Sequence, residues 1–329
     1  SRAAADRTCG GARDGGPVSS HDEDSSYHIP VLRDRAIDLV LTRPDGIYVD
    51  GTLGGGGHTA ALLARLDAHG RVFGFDQDAD ALRHCAQRFA TDPRLTLIHE
   101  NVAQIGSVLA AHEVKSIDGL LLDLGVSSHQ IDIPERGFSF RFDGPLDMRM
   151  NHDASMTAAE LIATSSEAEL ARILFTYGEE RQSRRIARAL AQAGSIESTS
   201  RLREVVTAVV SPAHVNKTLA RVFQALRIAV NNELDVLERT LRDALDLLAV
   251  GGRLVVISYH SLEDRMVKLF LRQAARNCVC PPTLPVCVCG TVARVKILTT
   301  RHIEADDDEV RGNQRARSAR LRAGEKIHA

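Results

Sequence analysis

The sequence predicts an α/β fold in which a doubly wound parallel sheet is interrupted by an all-helical insertion. Short apolar strands alternate with helices, and a glycine-rich loop joins the first strand to its helix. This alternation is typical of parallel βαβ units. Three strands end in an acidic residue, at the edge where such sheets bind ligands. Residues 134–221 show helical patterns and no convincing strand.

The elements can be assigned in chain order from their apolar periodicity and turn signals. Strands are predicted at residues 47–50, 71–76, 95–98, 119–123 and 253–258. In the α/β part, helices are predicted at residues 31–41, 59–66, 80–89, 219–242, 244–248 and 262–276. In the insertion, they are predicted at residues 158–163, 167–177, 181–193 and 201–210.

Four segments follow from this assignment. Residues 27–133 and 222–303 form a discontinuous α/β domain, and residues 134–221 form the helical insertion, to which we assign substrate recognition. Residues 1–26 are rich in Gly, Ser, Arg and Asp without an apolar segment, which predicts a disordered leader. Residues 304–329 carry an acidic run and then an arginine-rich run, which predicts a charged C-terminal tail.

Composition is that of an ordinary soluble protein. The chain has 329 residues, of which 44% are hydrophobic and 26% charged, with a net charge of −2. No apolar run is long enough for a transmembrane helix, so we expect no membrane partner. Six cysteines are too few for a disulfide scaffold, which favours a cytoplasmic location. The net charge does not decide whether the partner is a nucleic acid. Local clusters of arginine are the informative feature instead.

The glycine loop and the acids beside it predict a cofactor site. Four consecutive glycines, from Gly54 to Gly57, allow close approach of a ligand, and Asp50 ends the strand before them. A carboxylate there suits the amino group of S-adenosylmethionine better than a pyrophosphate, and the loop lacks the ending of a P-loop. Asp76, 22 residues after Gly54, is placed to bind ribose hydroxyls. A tight turn and a helix N-cap are the structural alternatives for these two features.

A third acid, Asp123, ends the fourth strand and precedes a small, polar segment with Ser127 and Ser128. Substrates bind beside this point in doubly wound sheets. Asp123 is therefore a candidate acceptor of hydrogen bonds from the cofactor or from an exocyclic amine. A plain loop acid is the alternative.

At these residues the chain resembles the MraW/RsmH family of bacterial 16S rRNA cytosine-N4 methyltransferases, over roughly residues 27–327. The most specific matching stretches are residues 143–150 (DGPLDMRM) and 258–265 (SYHSLEDR). Others lie at residues 28–32, 50–58, 118–128, 135–140, 177–181 and 223–228. The resemblance implies cofactor contacts by Gly56, Gly57, His58, Asp76, Val102, Asp123 and Gln130. His129 and Gln314 stand where the family pattern leads us to expect proline.

The resemblance further implies a Rossmann-like methyltransferase that methylates N4 of a cytosine in the decoding region of 16S rRNA, on the small ribosomal subunit. The exocyclic amine is a poor nucleophile, so it must be positioned in line with the methyl group. Asp123, Ser127 and Ser128 are the candidate catalytic residues, as acceptors of its hydrogen bonds. Methylation at carbon 5 would need a cysteine nucleophile, and neither Cys9 nor Cys85 is suitably placed.

Two groups of residues are candidates for RNA binding. Arg136, Phe138 and Phe140, continued by Arg141 and Phe142, suit base stacking and phosphate contact, with a core plug as the alternative. One helical face carries a row of arginines that would bind phosphates or simply face solvent: Arg181, Arg184, Arg185 and Arg188. The arginines of the C-terminal tail are a further candidate.

Four cysteines, at 278, 280, 287 and 289, form two C-x-C pairs in a proline-rich loop. Four thiolates can hold zinc, but C-x-x-C is the more usual spacing, so thiols without a metal are favoured and no metal is predicted. His260 is either a cleft residue or a structural histidine.

Other functions remain as alternatives. A DNA amino-methyltransferase would carry a Pro-Pro-Tyr or Pro-Pro-Phe motif where this chain has Leu124, Gly125 and Val126. A nicotinamide oxidoreductase is disfavoured by Asp50. A non-catalytic rRNA-binding assembly factor is disfavoured by the intact loop and acids. A homodimer is left open.

Overall fold

A computed structural model describes residues 30–154, 156–281 and 288–328. Within them, seven strands form one sheet in the order β3-β2-β1-β4-β5-β7-β6. The strands are β1 Ile47–Asp50, β2 Arg71–Asp76, β3 Leu95–His99, β4 Ile117–Asp123, β5 Leu248–Ser258, β6 Val295–Ile297 and β7 Arg320–Lys326. The first five are parallel, and β7 pairs antiparallel with both β5 and β6. The predicted α/β fold class is confirmed.

The helices of the α/β part are α1 Arg33–Val40, α2 Gly57–Leu63, α3 Ala79–Arg88, α4 Ile105–Ala111, α11 Glu233–Leu247, α12 Ser261–Ala274 and α13 Asp307–Gly312. Between β4 and β5, before α11, the chain forms α5 Ser128–Asp132, α6 Ala158–Thr164, α7 Glu167–Gly178, α8 Ser183–Gln192, α9 Thr199–Val209 and α10 Val215–Asn231.

The central strands are buried on both faces because their side chains alternate between two apolar layers. Tyr48 and Leu121 belong to the layer that packs against α1 and α2. Val49, Leu120 and Leu122 belong to the opposite layer, which packs against α4, α11 and α12. This two-sided burial fixes the register of the strands, and so it fixes where their carboxyl ends lie.

The helices between β4 and β5 have an apolar core of their own, built mainly from α6 to α10. Leu219 and Leu226, both on α10, belong to this core. The predicted boundary between residues 221 and 222 is therefore wrong, because it cuts one continuous helix whose two halves pack on the same core. The helix predicted over residues 219–242 is also interrupted at Asn232, where φ is 50°.

The prediction of a charged C-terminal tail is wrong. Residues 320–326 form β7, which lies in the sheet between β5 and the edge strand β6. Leu321 and Ala323 face the core, and Arg322 is buried in an ion pair with Asp264 at 2.6 Å. The acidic run forms α13, which Asp306 caps. The strand was not recognised in the sequence because the segment is rich in arginine. One of these arginines, Arg322, is buried and neutralised by Asp264.

The predicted leader, residues 1–26, lies outside the described residues. Among the helices of the described part, none is long and apolar enough to cross a membrane.

Candidate active site

A cavity of about 430 Å³ opens at the carboxyl ends of the parallel strands. The glycine loop after β1, the end of β2 and the end of β4 form its walls, and Tyr259 closes it from the segment after β5. Its volume is in the range of sites that hold a small organic ligand. The predicted site residues Gly57, His58, Asp76, Val102, Asp123, Ser127, Ser128 and Gln130 all line it.

The glycines of the loop play different structural roles. Gly54 faces the cavity with φ at 51°, and a Cβ added there would meet only a carbonyl oxygen at 3.9 Å. Gly56, which caps α2 with φ at 73°, faces α3 instead, where a Cβ would lie 2.6 Å from the Phe89 ring. Gly56 does not line the cavity, so the predicted direct contact is corrected to a role in packing the loop.

Asp50 also lies beneath the loop, outside the cavity lining, and is only 1% exposed. Its carboxylate accepts a hydrogen bond from the Thr59 hydroxyl at 2.7 Å and one from the Thr52 amide at 3.2 Å. Burial raises the pKa of this carboxyl. The predicted direct contact with an amino group is therefore wrong in this structure, because the carboxylate is buried outside the cavity lining, where it holds the loop and α2.

Asp76 ends β2 and faces the cavity. Its carboxylate accepts the Gly54 amide at 2.8 Å and the Asp78 amide at 2.9 Å. Burial raises its pKa to about 6, although both hydrogen bonds oppose the rise. The carboxylate is thus fixed in direction, and it is ionised only above moderately acidic pH.

Asp123 is where three distant segments of the chain meet. Its amide donates to the Thr52 hydroxyl at 2.6 Å. Its Oδ1 accepts the Tyr259 hydroxyl at 2.8 Å, and its Oδ2 lies 3.4 Å from Nε2 of His58. A carboxylate offers about four acceptor sites, so these contacts orient it without exhausting it. The side chain remains 22% exposed, toward the cavity.

The two side chains that hold Asp123 are tuned as donors. Burial and the neighbouring Asp123 carboxylate together raise the pKa of Tyr259 far above its usual value, so its hydroxyl keeps its proton. Burial disfavours the charged form of His58, but Asp123 and Asp50 outweigh it, and its pKa is raised. The Tyr259 hydroxyl therefore donates to Asp123, and His58, when protonated, is its ion-pair partner.

Ser127 and Gln130 organise the turn after β4. Ser127 caps α5, accepting the Gln130 amide at 3.1 Å, while the Gln130 side-chain oxygen accepts the Ser127 amide at 3.0 Å. The Gln130 side-chain amide donates to Asp78 at 2.8 Å. These hydrogen bonds fix the Gln130 side chain, which thereby shapes the cavity wall. Ser128, the first residue of α5, also lines the cavity.

Arg136 and Phe138 are buried, so their predicted roles in RNA binding are wrong. Arg136 is 4% exposed and pairs with Asp78 at 2.7 Å, and it also donates to two backbone carbonyls, each at 3.1 Å. Phe138 belongs to the core of the helical part. Phe140 is half-buried, edge-to-face against Phe223 at 5.5 Å. Phe142, at 47% exposure, is the ring of this segment that remains open to solvent.

The arginine row is exposed as the spacing predicts. Arg181 lies in the turn before α8, and Arg184, Arg185 and Arg188 lie on α8. Arg188 is 3.4 Å from Glu167. No ion pair of Arg184 or Arg185 is found within the described part of the chain. This face therefore keeps unneutralised positive charge.

Sequence reasoning missed three residues of the site, namely Thr52, Asp78 and Tyr259. Thr52 and Tyr259 hold Asp123, and Asp78 joins Gln130 to Arg136. The signal for Tyr259 was the matching stretch at residues 258–265. His260, which drew attention there, instead caps α12 and pairs with Glu263 at 3.0 Å, outside the cavity lining.

Comparison with known proteins gives two consistent findings. The model of the MraW methylase family matches residues 25–327. A protein of Heliobacterium modesticaldum named ribosomal RNA small subunit methyltransferase H is 49% identical over 309 residues, covering 92% of this chain and 99% of the relative. A protein of the same name from Geobacter sulfurreducens is 49% identical over 307 residues, covering 91% and 99% respectively.

Proposed function

The chain belongs to the MraW methylase family and is an S-adenosylmethionine-dependent methyltransferase of small-subunit ribosomal RNA; we propose that its target is the N4 amine of a cytosine in the decoding region of 16S rRNA. Asp123 carries this proposal, because its carboxylate is contacted by Tyr259 and His58 and still faces the cavity. A ribosomal substrate also leads us to propose a cytoplasmic location. The homodimer stays a prediction that sedimentation of the purified protein would test.

The cavity suits S-adenosylmethionine in shape and charge. The open space above Gly54 leaves room for a ligand against the loop, and Val102 offers an apolar wall for an adenine ring. Asp76 is fixed with acceptor capacity toward the cavity for ribose hydroxyls. The acidic side chains of Asp76 and Asp123 face the cavity, which favours a cationic ligand and disfavours a pyrophosphate. When bound, S-adenosylmethionine supplies an electrophilic methyl group on its sulfonium.

The chemistry required of the protein is to present the amine nitrogen correctly. The lone pair of that nitrogen is delocalised into the cytosine ring, so an acceptor for its N–H groups keeps electron density on the nitrogen. Asp123 is that acceptor, and the Tyr259 hydroxyl and His58 hold the carboxylate at a fixed angle. Such fixed positioning reduces the entropy lost on reaching the transition state. The amine proton leaves late, to Asp123 or to water.

The segment after Asp123 provides the entrance for the base. Gly125 has φ at 95°, and a Cβ there would lie 3.7 Å from Tyr259, in ordinary contact. The restriction at this position is therefore one of backbone conformation, which suits glycine. Ser127 and Ser128 follow on the cavity wall and offer hydroxyls to the base. A base within a helix must be unstacked or flipped to enter.

Binding of the RNA outside the cavity falls to the exposed positive charges of the helical part. Arg181, Arg184, Arg185 and Arg188 can neutralise phosphates along one face, and Phe142 offers an exposed ring for stacking. Phosphate contacts of this kind position the substrate, and the cavity then selects the base.

The decisive experiment is methyl transfer from labelled S-adenosylmethionine to small subunits that lack the modification, beside naked 16S rRNA and duplex DNA. We expect label in N4-methylcytidine on subunits or rRNA, and its loss in Asp123→Asn. Asp45→Asn is the matched control, because Asp45 is a surface acid paired with Arg43. Label in another nucleoside, or only in DNA, would overturn the proposed target.

A further inference from the structure

Three cysteines lie together in the loop between α12 and β6. The Sγ atoms of Cys278, Cys280 and Cys289 all lie within 4.8 Å of one another. Cys278 and Cys289 are 11 residues apart in the sequence, so the fold of the loop brings them together. None of the three lines the cavity described above. This cluster is therefore separate from the site of methyl transfer.

The spacing of the sulfur atoms matches tetrahedral coordination. The Sγ atoms of Cys278 and Cys289 are 3.9 Å apart. With Zn–S bonds of about 2.3 Å, a regular tetrahedron has S–S edges of about 3.8 Å. A disulfide would bring the two atoms to about 2.05 Å. The observed distance therefore agrees with two thiolates that share one metal ion.

Backbone amides point at the same sulfur atoms. The Val279 amide donates to Sγ of Cys289, and the Cys280 amide donates to Sγ of Cys278, each at 3.4 Å. Such donors stabilise negative charge on sulfur, and metal ligands are usually held by a second layer of hydrogen bonds. The described part of the loop thus supplies amide donors to two of the three sulfur atoms.

Apolar side chains in the described part of the loop are open to solvent. Val279, Val288 and Val292 are exposed, Val288 by 78%. The base of the loop is tied by the Arg294 amide to the Ala274 carbonyl at 2.8 Å, and by the Ala293 amide to the Asn277 side chain at 3.0 Å. A structural metal can stabilise a segment that buries few apolar side chains.

We propose that Cys278, Cys280 and Cys289 bind a structural zinc ion that fixes the connection between α12 and the edge strand β6. Zinc is the ion that thiolate-rich tetrahedral sites favour, and structural zinc takes a fourth ligand. In the sequence, Cys287 repeats the C-x-C spacing two residues before Cys289; it lies outside the described residues. The C-x-C spacing alone favoured thiols without a metal, and the geometry of the three described sulfur atoms points the other way.

The test is the metal content of the full-length protein, produced in zinc-supplemented medium and measured by mass spectrometry. We expect about one zinc per chain in the wild type. The matched control Cys85→Ala, at a buried cysteine outside the loop, should keep the same content. Cys278→Ser and Cys289→Ser should lose most of it. These losses would also show that the ion is held by the loop rather than bound at random.

A second measurement does not depend on any variant folding. After zinc is removed by a chelator, cobalt added to the wild-type protein should give the intense near-ultraviolet band of thiolate-to-metal charge transfer. Removal should also raise the number of thiols that react with a thiol reagent. The proposal is overturned by a wild-type protein that binds neither zinc nor cobalt in stoichiometric amount. Recovery of Cys278 and Cys289 as a disulfide from freshly isolated protein would overturn it equally.

Discussion

Removal of the Tyr259 hydroxyl is the sharpest test of how Asp123 is held. In Tyr259→Phe the ring keeps its volume, and the only bond lost is the one from the hydroxyl to Oδ1 of Asp123, at 2.8 Å. The high pKa of Tyr259 means that this hydroxyl is a donor throughout the working range. The change therefore releases one side of the carboxylate and leaves the cavity otherwise intact.

The expected magnitude follows from the kind of bond. A hydrogen bond to a charged group contributes about 1.5–3 kcal/mol. Each ~1.4 kcal/mol that is realised only in the transition state changes the rate about tenfold. If the bond serves to orient Asp123 for the amine, kcat/KM for rRNA should fall between about tenfold and about 150-fold. Affinity for S-adenosylhomocysteine should change by less than about threefold, or under ~0.7 kcal/mol.

The assay is steady-state methyl transfer, paired with calorimetric titration of S-adenosylhomocysteine and a urea unfolding curve. Tyr48→Phe is the matched control, because Tyr48 is also buried and its hydroxyl donates to the Arg43 carbonyl at 2.7 Å, away from the cavity. Tyr259→Phe should lose about 1.5–3 kcal/mol of unfolding free energy, and Tyr48→Phe should lose a similar amount, because the Tyr48 hydroxyl also accepts the Thr42 and Arg43 amides. Only Tyr259→Phe should lose rate.

Two results would refute the reasoning. If Tyr259→Phe and Tyr48→Phe lose equal activity in step with stability, the bond to Asp123 has no specific role in the reaction. If the affinity for S-adenosylhomocysteine falls by as much as kcat/KM, Asp123 binds the cofactor and does not position the amine.

Three further predictions concern the cofactor, the core and the RNA face. Because burial raises the pKa of Asp76 to about 6, ribose binding requires deprotonation, and affinity for S-adenosylhomocysteine should fall as pH drops through that value; a pH profile that Asp76→Asn leaves unchanged would contradict this. In the ligand-free protein, the free energy of unfolding should decrease as the pH rises from the pKa of Asp76 in the unfolded chain to about 6, its pKa in the folded chain. The reason is that the folded state holds the proton more tightly. Arg136→Met should lower the unfolding free energy by about 3–5 kcal/mol, because it strands buried Asp78, and a near-neutral urea curve would refute the ion pair's importance. The double change of Arg184 and Arg185 to Ala should leave stability unchanged but reduce the slope of log affinity against log salt by about 1.5, and an unaltered slope would remove this face from the RNA interface.

Periodicity predicted the parallel sheet because every central strand is apolar on both faces, as β4 is from Leu120 to Leu122. The same periodicity did not identify buried positions whose charged side chains are neutralised inside the fold. Arg322 and Arg136 both look like surface residues in the sequence, yet each is buried against an aspartate contributed by a distant segment. A buried arginine cannot be distinguished from an exposed one until its partner is known, and the partner is a property of the fold.

The candidate site shows the same division between local and long-range information. The acids at the ends of β2 and β4 were predictable, because the edge of a parallel sheet is set by strand order alone. Their roles were not, because a carboxylate acts through what its oxygens contact. Asp50 and Asp76 look equivalent in the sequence, but Asp50 is closed off by Thr59 while Asp76 faces the cavity.

The contacts of Asp123 also give a reason for the place of the helical part in the chain. Thr52 and Tyr259 are 71 and 136 residues from Asp123, and the helices α5 to α11 lie between β4, which ends at Asp123, and β5, which Tyr259 follows. The chain leaves the sheet beside the cavity after β4. The end of α10 and the start of α11 line the same cavity, and α11 then leads to the opposite edge, where the parallel strand β5 begins. The arginines of α8 belong to the helical part that the chain inserts at this edge. The salt-slope experiment probes binding of the RNA, and the Tyr259→Phe experiment probes positioning of the Asp123 carboxylate. If the arginine face only binds RNA and Tyr259 only positions Asp123, the losses in kcat/KM should add in a variant that combines the changes.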